Sequence, residues 1–299
     1  MTTRELLVSI VVPVRNAERT VRDCIASLLQ LEYPPSHREI VVVDNGSSDA
    51  SRSIIRDLPV TLVIEPRRGP SCARNAGIDA SGGDIIAFTD ADCIVSRGWL
   101  RHLVTSLRED EGASAVAGEV LPFAPQTRAE HYMARRQSRW QAAALRAPRP
   151  YMVTANVAFR RQTFDKIGRF DPRFPVGQDQ DLSWRFFAAG LRCRYAPTAI
   201  VFHRHRHTTW AFFKQQLGWG YGAALLRRYH GLPWGIGAEL REVGQLAQAA
   251  SLLVAAACRA AVGAGHDMET AYRFHDFLRE AARRVGTLRA AIEHLSGSS

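Results

Sequence analysis

Two aspartates separated by a single residue follow a short apolar stretch near residue 90. Ile85–Phe88 is typical of a strand, and Thr89 is followed by Asp90, Ala91 and Asp92. A strand that ends there can turn both carboxylates toward whatever lies beyond its C-terminal edge. Paired carboxylates suit Mg²⁺ or Mn²⁺, hard cations that prefer oxygen ligands and often share them with phosphates. The spacing alone is common, so the elements around it must decide what it means.

The first 120 residues alternate short apolar runs with segments of helical spacing. The runs of strand length are Leu7–Val12, Ile40–Val43, Val60–Ile64, Ile85–Phe88 and Ala113–Val120. Between the first two, Val21, Cys24, Ile25 and Leu28 recur at helical spacing, and Asn16 is placed to cap that helix. Strands that alternate with helices predict βαβ units around a buried parallel sheet.

Polar turns occupy the predicted carboxyl ends of three of these strands. The turns are Pro13–Asn16, Asp44–Ser47 and Asp90–Asp92. In open α/β sheets, ligands bind in the crevice outside the carboxyl ends of the strands. The convergence of these turns therefore favours a nucleotide site at that edge.

The regular alternation stops after Pro122, and the second half of the chain is mostly helical. We expect helices over residues 127–146 and Asp181–Ala189, and strands over Tyr151–Phe159 and Cys193–Phe202. From Thr208 onward the pattern is helical, with a linker at Gly231–Gly235 and an Ala/Arg-rich helical tail over residues 238–295.

Composition narrows the classes of function. The chain has 299 residues, 46% of them hydrophobic, and a net charge of +10. A basic balance suits nucleic acid, an anionic membrane or phosphorylated substrates, but no nucleic-acid-binding motif accompanies it, which disfavours a specific nucleic-acid partner. The five cysteines form no C-x-x-C pair, which indicates a reducing compartment, the cytoplasm. We interpret Leu6–Val14 as a first strand, not a signal peptide, and expect no transmembrane helix, because the run Ala249–Cys258 is too short.

The order of the motifs resembles the family 2 glycosyltransferases, which have the GT-A fold. The resemblance covers roughly residues 6–225 and excludes the tail after about residue 235. It rests on Val11–Asn16, Val43–Asp49, Gly69 with Ala73–Gly77, Phe88–Asp92, Gly177–Leu182 and Ala189–Gly190. It implies an α/β fold with a mostly parallel sheet flanked by helices, followed by a helical C-terminal extension.

The resemblance places a nucleotide-binding set at the strand ends. That set is Pro13, Val14, Arg15, Asn16, Asp44, Arg74, Asp90 and Ala91. Asp44 can accept a hydrogen bond from a base, although an aspartate in a plain turn stays an alternative. Arg74 can pair with a diphosphate, or equally form a structural salt bridge to the strand-end acids. Relatives often carry a second acid at the position of Asn45, which leaves the identity of the base open.

The metal ligands implied by the resemblance are Asp92 and His203. Without a cation, two carboxylates would repel an approaching nucleotide diphosphate, so Mg²⁺ or Mn²⁺ is the expected cofactor. His203 begins the tract His203–His207, in which histidine and arginine alternate. A solvated edge that attracts phosphate is the alternative interpretation of this tract.

Asp179 matches the acid that serves as general base in inverting members of the family. It would take the proton from an acceptor hydroxyl as that oxygen attacks the anomeric carbon. Acids at this place also cap helices, and relatives usually have Glu where this chain has Gln178. We expect Asp181 to be the acid that supports the helix.

Together these features predict a metal-dependent inverting glycosyltransferase. The donor would be a nucleotide-diphosphate sugar, most simply UDP-linked, and the acceptor a hydroxyl of a saccharide, a lipid-linked compound or a small molecule. We expect a donor-binding half over residues 1–120, an acceptor-side half carrying Asp179 over 121–235, and a helical extension over 236–299.

Three alternatives stay open at this point. A nucleotidyltransferase shares the sheet and the carboxylate–metal logic, but it would usually have a glycine-rich first loop, where this chain has Pro13–Asn16. A nucleotide-sugar-binding scaffold without catalysis would fit the Gln178 and Asn45 departures. The tail is expected to pack on the catalytic domain, with peripheral contact to an anionic membrane as the alternative.

Overall fold

The computed structural model describes residues 6–232, 236–261 and 267–296. It divides into two compact units. The first holds the described residues up to Phe123 together with Gln137–Arg204, and the second holds Ala124–Arg136 and the described residues from His205 on. Because our functional halves were defined by their roles, the boundaries at residues 120 and 235 stay predictions.

The first unit is built on a mixed eight-stranded sheet. Its strands are β1 (Val8–Val14), β2 (Arg38–Asp44), β3 (Thr61–Ile64), β4 (Ile85–Phe88), β5 (Cys93–Val95), β6 (Ala113–Pro122), β7 (Val157–Arg160) and β8 (Arg192–His203). Their order is β3-β2-β1-β4-β7-β6-β8-β5. The four strands from β3 to β4 run parallel, as does β8 beside β6, whereas β7 and β5 are antiparallel to their neighbours. The predicted α/β fold class is confirmed.

Helices flank the sheet in the first unit and make up most of the second. In chain order they are α1 (Val21–Leu29), α2 (Ser51–Arg56), α3 (Pro70–Asp79), α4 (Trp99–Glu109), α5 (Arg128–Arg136), α6 (Trp140–Leu145), α7 (Thr163–Ile167), α8 (Gln178–Ala188), α9 (Thr209–Tyr229), α10 (Ile236–Ala261) and α11 (Asp267–Ser296). Helices α5, α9, α10 and α11 belong to the second unit.

The sheet is buried on both faces, which explains its unbroken apolar strands. Along β1, Ile10 and Val12 pack into one core cluster and Val11 into the other, and all three are fully buried. Successive side chains of a strand point to opposite faces, so both layers must exclude water. The second cluster is aromatic around Phe88, whose ring meets Phe159 edge-on at 6.2 Å between centroids. This rigid centre fixes the strand ends that carry the polar residues.

Helix α3 packs unusually close to β1, and Gly77 makes this approach feasible. A Cβ at Gly77 would lie 2.3 Å from Cγ1 of Val11, far inside van der Waals contact. Any larger residue would push the helix away from the sheet. Because Arg74 lies on the same helix, the glycine also sets how near that side chain comes to the strand ends.

In the second unit, two glycines let α9 and α11 approach each other closely. A Cβ at Gly220 would lie 2.0 Å from the carbonyl oxygen of Arg283, and one at Gly286 the same distance from that of Leu217. Small residues at such crossings allow close backbone packing. Helix α5 joins the same unit, with Tyr132 packing edge-on against Phe212 at 5.5 Å.

One expectation about a helix needs correction. Asn16 does not cap α1, whose N-cap is Thr20; instead its Oδ1 accepts a 2.8 Å hydrogen bond from the backbone N–H of Ser48.

The expectation that the chain has no transmembrane helix stays a prediction. Val243–Ala260 in α10 is long and apolar enough to cross a membrane by length and composition, with a mean hydropathy of 1.2 and 11% of it buried. Gln245 and Gln248 are polar but uncharged, so the segment keeps this hydropathy although they lie within it.

Strand β7 is shorter than the predicted Tyr151–Phe159, because a 3₁₀ turn at Thr154–Asn156 precedes it. Strand β5 was not predicted at all, since three residues are too few to show a period. The linker expected at Gly231–Gly235 lies partly outside the described residues.

Candidate active site

The polar turns predicted to converge do lie at one edge of the sheet. Val14 pairs with Asp44 across β1 and β2, and Val11 pairs with Phe88 across β1 and β4. Because these strands are parallel, their carboxyl ends share the same edge. The turns after β1, β2 and β4 therefore open toward a common region.

Asp44, at the end of β2, is fully buried and neutralised by an arginine. Arg52 of α2 places Nη2 2.6 Å and Nε 2.9 Å from Asp44 Oδ2, a side-on charge-assisted pair. The other oxygen, Oδ1, accepts from the backbone N–H of Ser47 at 3.2 Å. The pair holds the turn after β2 in place. Arg52 was not predicted from the sequence, although it lies in the helix that directly follows the strand ending at Asp44.

The loop after β1 is clasped to the loop after β2 by reciprocal hydrogen bonds. Ser47 Oγ accepts from the backbone N–H of Asn16 at 3.0 Å, while Asn16 Oδ1 accepts from Ser48. Asn16 has a left-handed φ of 52°, a conformation that asparagine tolerates better than most residues. Arg15 is exposed, whereas the side chain of Val14 is buried and that of Pro13 partly buried. The clasp orders the wall that the resemblance assigns to the nucleotide.

Asn45 has a role that an acid could not fill. Its amide nitrogen donates to the carbonyl oxygens of Glu65 at 3.0 Å and Arg67 at 2.7 Å, and its Oδ1 accepts from the N–H of Gly69. A carboxylate has no donor and would face two carbonyl oxygens. This departure from the family pattern therefore stabilises the loop that leads into α3.

Arg74 and Asp90 form an ion pair at the centre of the site. Arg74 Nη2 lies 2.7 Å from Asp90 Oδ1, with the arginine side chain 4% exposed and the aspartate 30%. The guanidinium also lies over the ring of Phe170, 5.7 Å from its centroid. Among the described residues, Arg74 Nε and Nη1 are buried with no hydrogen-bond partner. Of the two interpretations of Arg74, the salt bridge is the one formed, and the unpartnered nitrogens leave donor capacity unused.

Asp92 and His203 lie side by side, although 111 positions separate them in the chain. His203 Nε2 is 3.5 Å from Asp92 Oδ1. Strand pairing places them there: Cys93 of β5 is the antiparallel partner of His203, and the N–H of Arg204 donates to the Asp92 carbonyl at 2.9 Å. Trp140 meets the His203 ring edge-on, 5.7 Å between centroids. By contrast, Ala91 is buried and packs into the core beneath this edge.

The Asp92 carboxylate is the ligand type that Mg²⁺ and Mn²⁺ prefer, whereas an imidazole nitrogen suits transition metals, so Mn²⁺ matches the pair better than Mg²⁺. Cys93 completes a cluster of three groups whose ligand atoms lie within 4.8 Å of one another. Burial raises the pKa of the fully buried Cys93 thiol well above its ordinary value, and Asp92 adds to the rise. Thiolate is a soft ligand that suits zinc or Cu(I) better than Mg²⁺ or Mn²⁺, so the oxygen and nitrogen atoms are the relevant donors here.

Asp179 lies in the first turn of α8, close enough to Arg74 and Asp90 for their charges to act on it. Burial raises the pKa of Asp179 from 3.8 to about 6, while Arg74 and the N–H of Gln180 lower it. Its Oδ1 accepts from Gln180 at 2.9 Å. A carboxylate that titrates near neutrality is suited to take and return a proton.

Asp181 is the structural acid of the same helix, as expected. It is 3% exposed, and its Oδ2 accepts from Arg185 Nη2 at 2.7 Å, four residues along α8. Arg185 in turn donates to the carbonyl of Arg169 at 2.9 Å, so the pair ties α8 to the segment after α7. The two carboxylates are thus distinguished by their partners.

The model of the glycosyl transferase family 2 matches residues 9–168 of this chain. The chain belongs to this family. It is a glycosyltransferase. The matched region includes Asp44, Arg74, Asp90 and Asp92, whereas Asp179, Asp181 and His203 lie beyond it. Sequence comparison gives the same result. Glycosyltransferase AglE of Haloferax volcanii is 29% identical over 89% of this chain and 96% of that protein.

Another relative is the pre-mycofactocin glycosyltransferase of Mycobacterium tuberculosis, 30% identical over 75% of this chain and 48% of that protein. The chain thus spans nearly all of AglE but about half the length of the mycobacterial relative.

Solved structures confirm the GT-A fold. The mannosyltransferase PcManGT from Pyrobaculum calidifontis, in complex with GDP-Man and Mn²⁺, superposes with a TM-score of 0.63 over 97% of this chain and 88% of that one, at 22% identity. S. aureus TarS 1-349 in complex with UDP-GlcNAc gives a TM-score of 0.55 over 96% and 92%, at 13% identity.

Proposed function

We propose that this family 2 glycosyltransferase transfers a sugar from a nucleotide-diphosphate donor to a hydroxyl acceptor, with inversion at the anomeric carbon. The observation that carries the proposal is Asp179. It is a partly buried carboxylate with a pKa near 6, and it lies within electrostatic reach of the Arg74–Asp90 pair. The donor would bind at the strand ends, and the base would approach from α8.

Asp179 would act as the general base. In its ionised form it accepts the proton of the acceptor hydroxyl while that oxygen forms a bond to the anomeric carbon. The sugar–phosphate bond breaks on the opposite face, and the electron pair leaves with the nucleoside diphosphate. A single displacement of this kind inverts the configuration.

The donor side would be shared between two groups of residues. Asp90, fixed by Arg74, would position the nucleoside, and the clasped loops with Asp44 and Asn16 would form the wall around it. Asp92 and His203 would hold Mg²⁺ or Mn²⁺, which when bound stabilises the negative charge of the leaving diphosphate. The unpartnered nitrogens of Arg74 are charged donors that suit a phosphate oxygen.

A UDP-linked donor is our proposal. TarS contains UDP-GlcNAc and PcManGT contains GDP-Man, so UDP- and GDP-sugars both belong in the donor test. Because the Asn45 side chain is hydrogen-bonded to the loop Glu65–Gly69, we do not assign it a role in selecting the nucleotide base. The acceptor would be a saccharide, a lipid-linked compound or a small molecule. A cytoplasmic location is supported by the cysteines, all five of which are free.

A donor panel tests the proposal. Purified protein is incubated with UDP-, GDP- and dTDP-sugars in Mn²⁺, and release of the nucleoside diphosphate is measured with and without a chelator. We expect metal-dependent release from UDP-sugars that is lost in Asp179→Asn. Tight binding with equal, negligible release in both proteins would instead identify a binding module. Release of pyrophosphate from a nucleoside triphosphate and a sugar phosphate would identify a nucleotidyltransferase.

A further inference from the structure

The second unit contains a cavity in which four of the ten lining residues are arginines. Its volume is about 510 Å³, and its charged lining residues are Arg136, Arg273, Arg279, Arg283, Asp276 and Glu280. Helices α5, α10 and α11 contribute all of its walls. One water molecule occupies about 30 Å³ of liquid, so the cavity can hold a multi-atom ligand.

The carboxylates of the cavity neutralise only part of its positive charge. Arg136 Nη1 pairs with Asp276 Oδ1 at 3.2 Å, and Arg279 pairs with Glu280. Arg273 reaches Asp276 only at 3.9 Å, the limit of an ion pair. With four arginines and two carboxylates, the lining keeps a net positive charge.

Among the described residues, Arg283 has neutral side-chain partners, and Arg279 has one buried nitrogen without a hydrogen bond. Arg283 Nε donates to Gln216 Oε1 at 3.1 Å, and its guanidinium lies over the Trp219 ring at 5.4 Å, both neutral partners. Burial, with a contribution from neighbouring Arg279, lowers the pKa of Arg283 to about 10. Arg279 Nε is itself buried with no hydrogen-bond partner among the described residues. Desolvated cations this close favour an anion between them.

Helix α10 lines the cavity with two polar residues, Gln245 and Gln248, and two apolar ones, Ala249 and Leu252. Leu252 is 38% exposed, so it also borders solvent. It lies in Val243–Ala260, which is long and apolar enough to cross a membrane by length and composition, with 11% of it buried. A ligand with a charged head and an apolar chain would satisfy both the arginines and this segment.

We propose that this cavity binds a phosphate group carried by a lipid. Arginine guanidinium groups match phosphate geometry with two parallel hydrogen bonds, and here several converge on one space. The phosphate would lie among Arg273, Arg279 and Arg283, with the chain leaving the cavity past Leu252. This site is separate from the residues assigned to the glycosyl transfer and does not depend on that assignment.

Titration of the full-length protein with inorganic pyrophosphate, in chelator and low salt, tests the head-group site by calorimetry. Two cavity variants, Arg279→Gln and Arg273→Gln, each remove one cation; the second residue is more exposed and its change is the milder one for folding. We expect Arg279→Gln to weaken binding about tenfold, since one charge-assisted contact is lost. Arg289→Gln on α11 is the matched control, because Arg289 lies outside the cavity and pairs with Glu293.

Vesicle co-sedimentation identifies the carrier. Phosphatidylcholine vesicles doped with phosphatidic acid are compared with vesicles of equal charge doped with oleate, which has no phosphate. We expect stronger binding to phosphatidic acid, reduced in the cavity variants and unchanged in Arg289→Gln. Equal binding to both vesicles, with pyrophosphate binding intact, would overturn the lipid carrier. Equal affinity of Arg279→Gln and Arg289→Gln for pyrophosphate would overturn the site itself.

Discussion

Replacing Asp179 by asparagine removes the charge of the proposed base while keeping its shape. In the folded protein the pKa of Asp179 is raised from 3.8 to about 6, chiefly by burial. Below about pH 3 both the folded and the unfolded chain hold the proton, and the charge costs nothing. As the pH rises through 4 to 6, the unfolded state ionises first, so wild-type stability falls and stays lower above pH 6.

The size of the pKa shift gives the free energy of unfolding that the Asp179 charge removes. A difference of about 2.2 pKa units at about 1.36 kcal/mol per unit gives about 3 kcal/mol at pH 8. At pH 4.5, where the unfolded state is mostly ionised and the folded state is not, the same relation gives about 1 kcal/mol. Asp179→Asn should therefore be more stable than wild type by about these amounts, because its Oδ1 can still accept from Gln180.

Urea unfolding at pH 4.5 and pH 8 measures both values, and the donor assay measures activity in the same proteins. We expect the stabilised variant to lose about 10²- to 10⁴-fold in kcat, the usual contribution of a general base. Wild-type kcat should rise with pH through a midpoint near 6, as Asp179 loses its proton.

Asp171→Asn is a suitable control. Hydrogen bonds from Arg173 hold the pKa of Asp171 below its ordinary value, so its charge stabilises the fold at pH above 4 and that contribution is lost as the pH falls. This variant should be less stable than wild type at pH 8, the opposite sign. An Asp179→Asn protein no more stable at pH 8 than at pH 4.5, relative to wild type, would refute the reasoning about this carboxylate.

Three further predictions concern the donor side and its support. Asp92→Asn should weaken Mn²⁺ affinity at least about tenfold, measured by electron paramagnetic resonance, since one of two described ligands loses its charge; unchanged affinity would place the metal elsewhere. Arg74→Met should weaken UDP binding and destabilise the fold by about 1–3 kcal/mol, because Asp90 loses its partner; calorimetry showing unaltered UDP affinity would argue against a donor role. Gly77→Ala should cost about 1–3 kcal/mol in thermal unfolding, whereas Gly82→Ala should cost much less, because a Cβ there would meet only Glu39 Oε1 at 3.9 Å; equal costs would contradict the close approach.

The strands nearest the site could be predicted because they are buried on both faces. Ile85–Phe88 was placed without error, and β1 and β2 to within two residues at each end, since continuous apolar runs leave little choice of register. From their parallel arrangement followed the convergence of Asp44 and Asp90 at one edge. Strand order on the other side of β4 did not follow, because β5 and β7 are short and antiparallel.

Side-chain roles that depend on contacts with a distant loop could not be predicted from the local sequence. Asn16 looked like a helix cap, but its partner is Ser48 on the next turn, 32 residues away. Asn45 looked like a weakened acid, yet it satisfies three backbone groups of a loop about 20 residues further on. Only the fold reveals which of these polar residues are committed to structure and which remain available to a ligand.

Proton NMR of donor cleavage tests the central claim most directly. The wild-type protein is given an α-linked UDP-sugar and Mn²⁺ without acceptor, so that water takes the place of the hydroxyl. If Asp179 activates that water for a single displacement, the β-anomer of the free sugar appears first and equilibrates only later by mutarotation. An α-anomer formed first would contradict the inverting mechanism and the role assigned to Asp179.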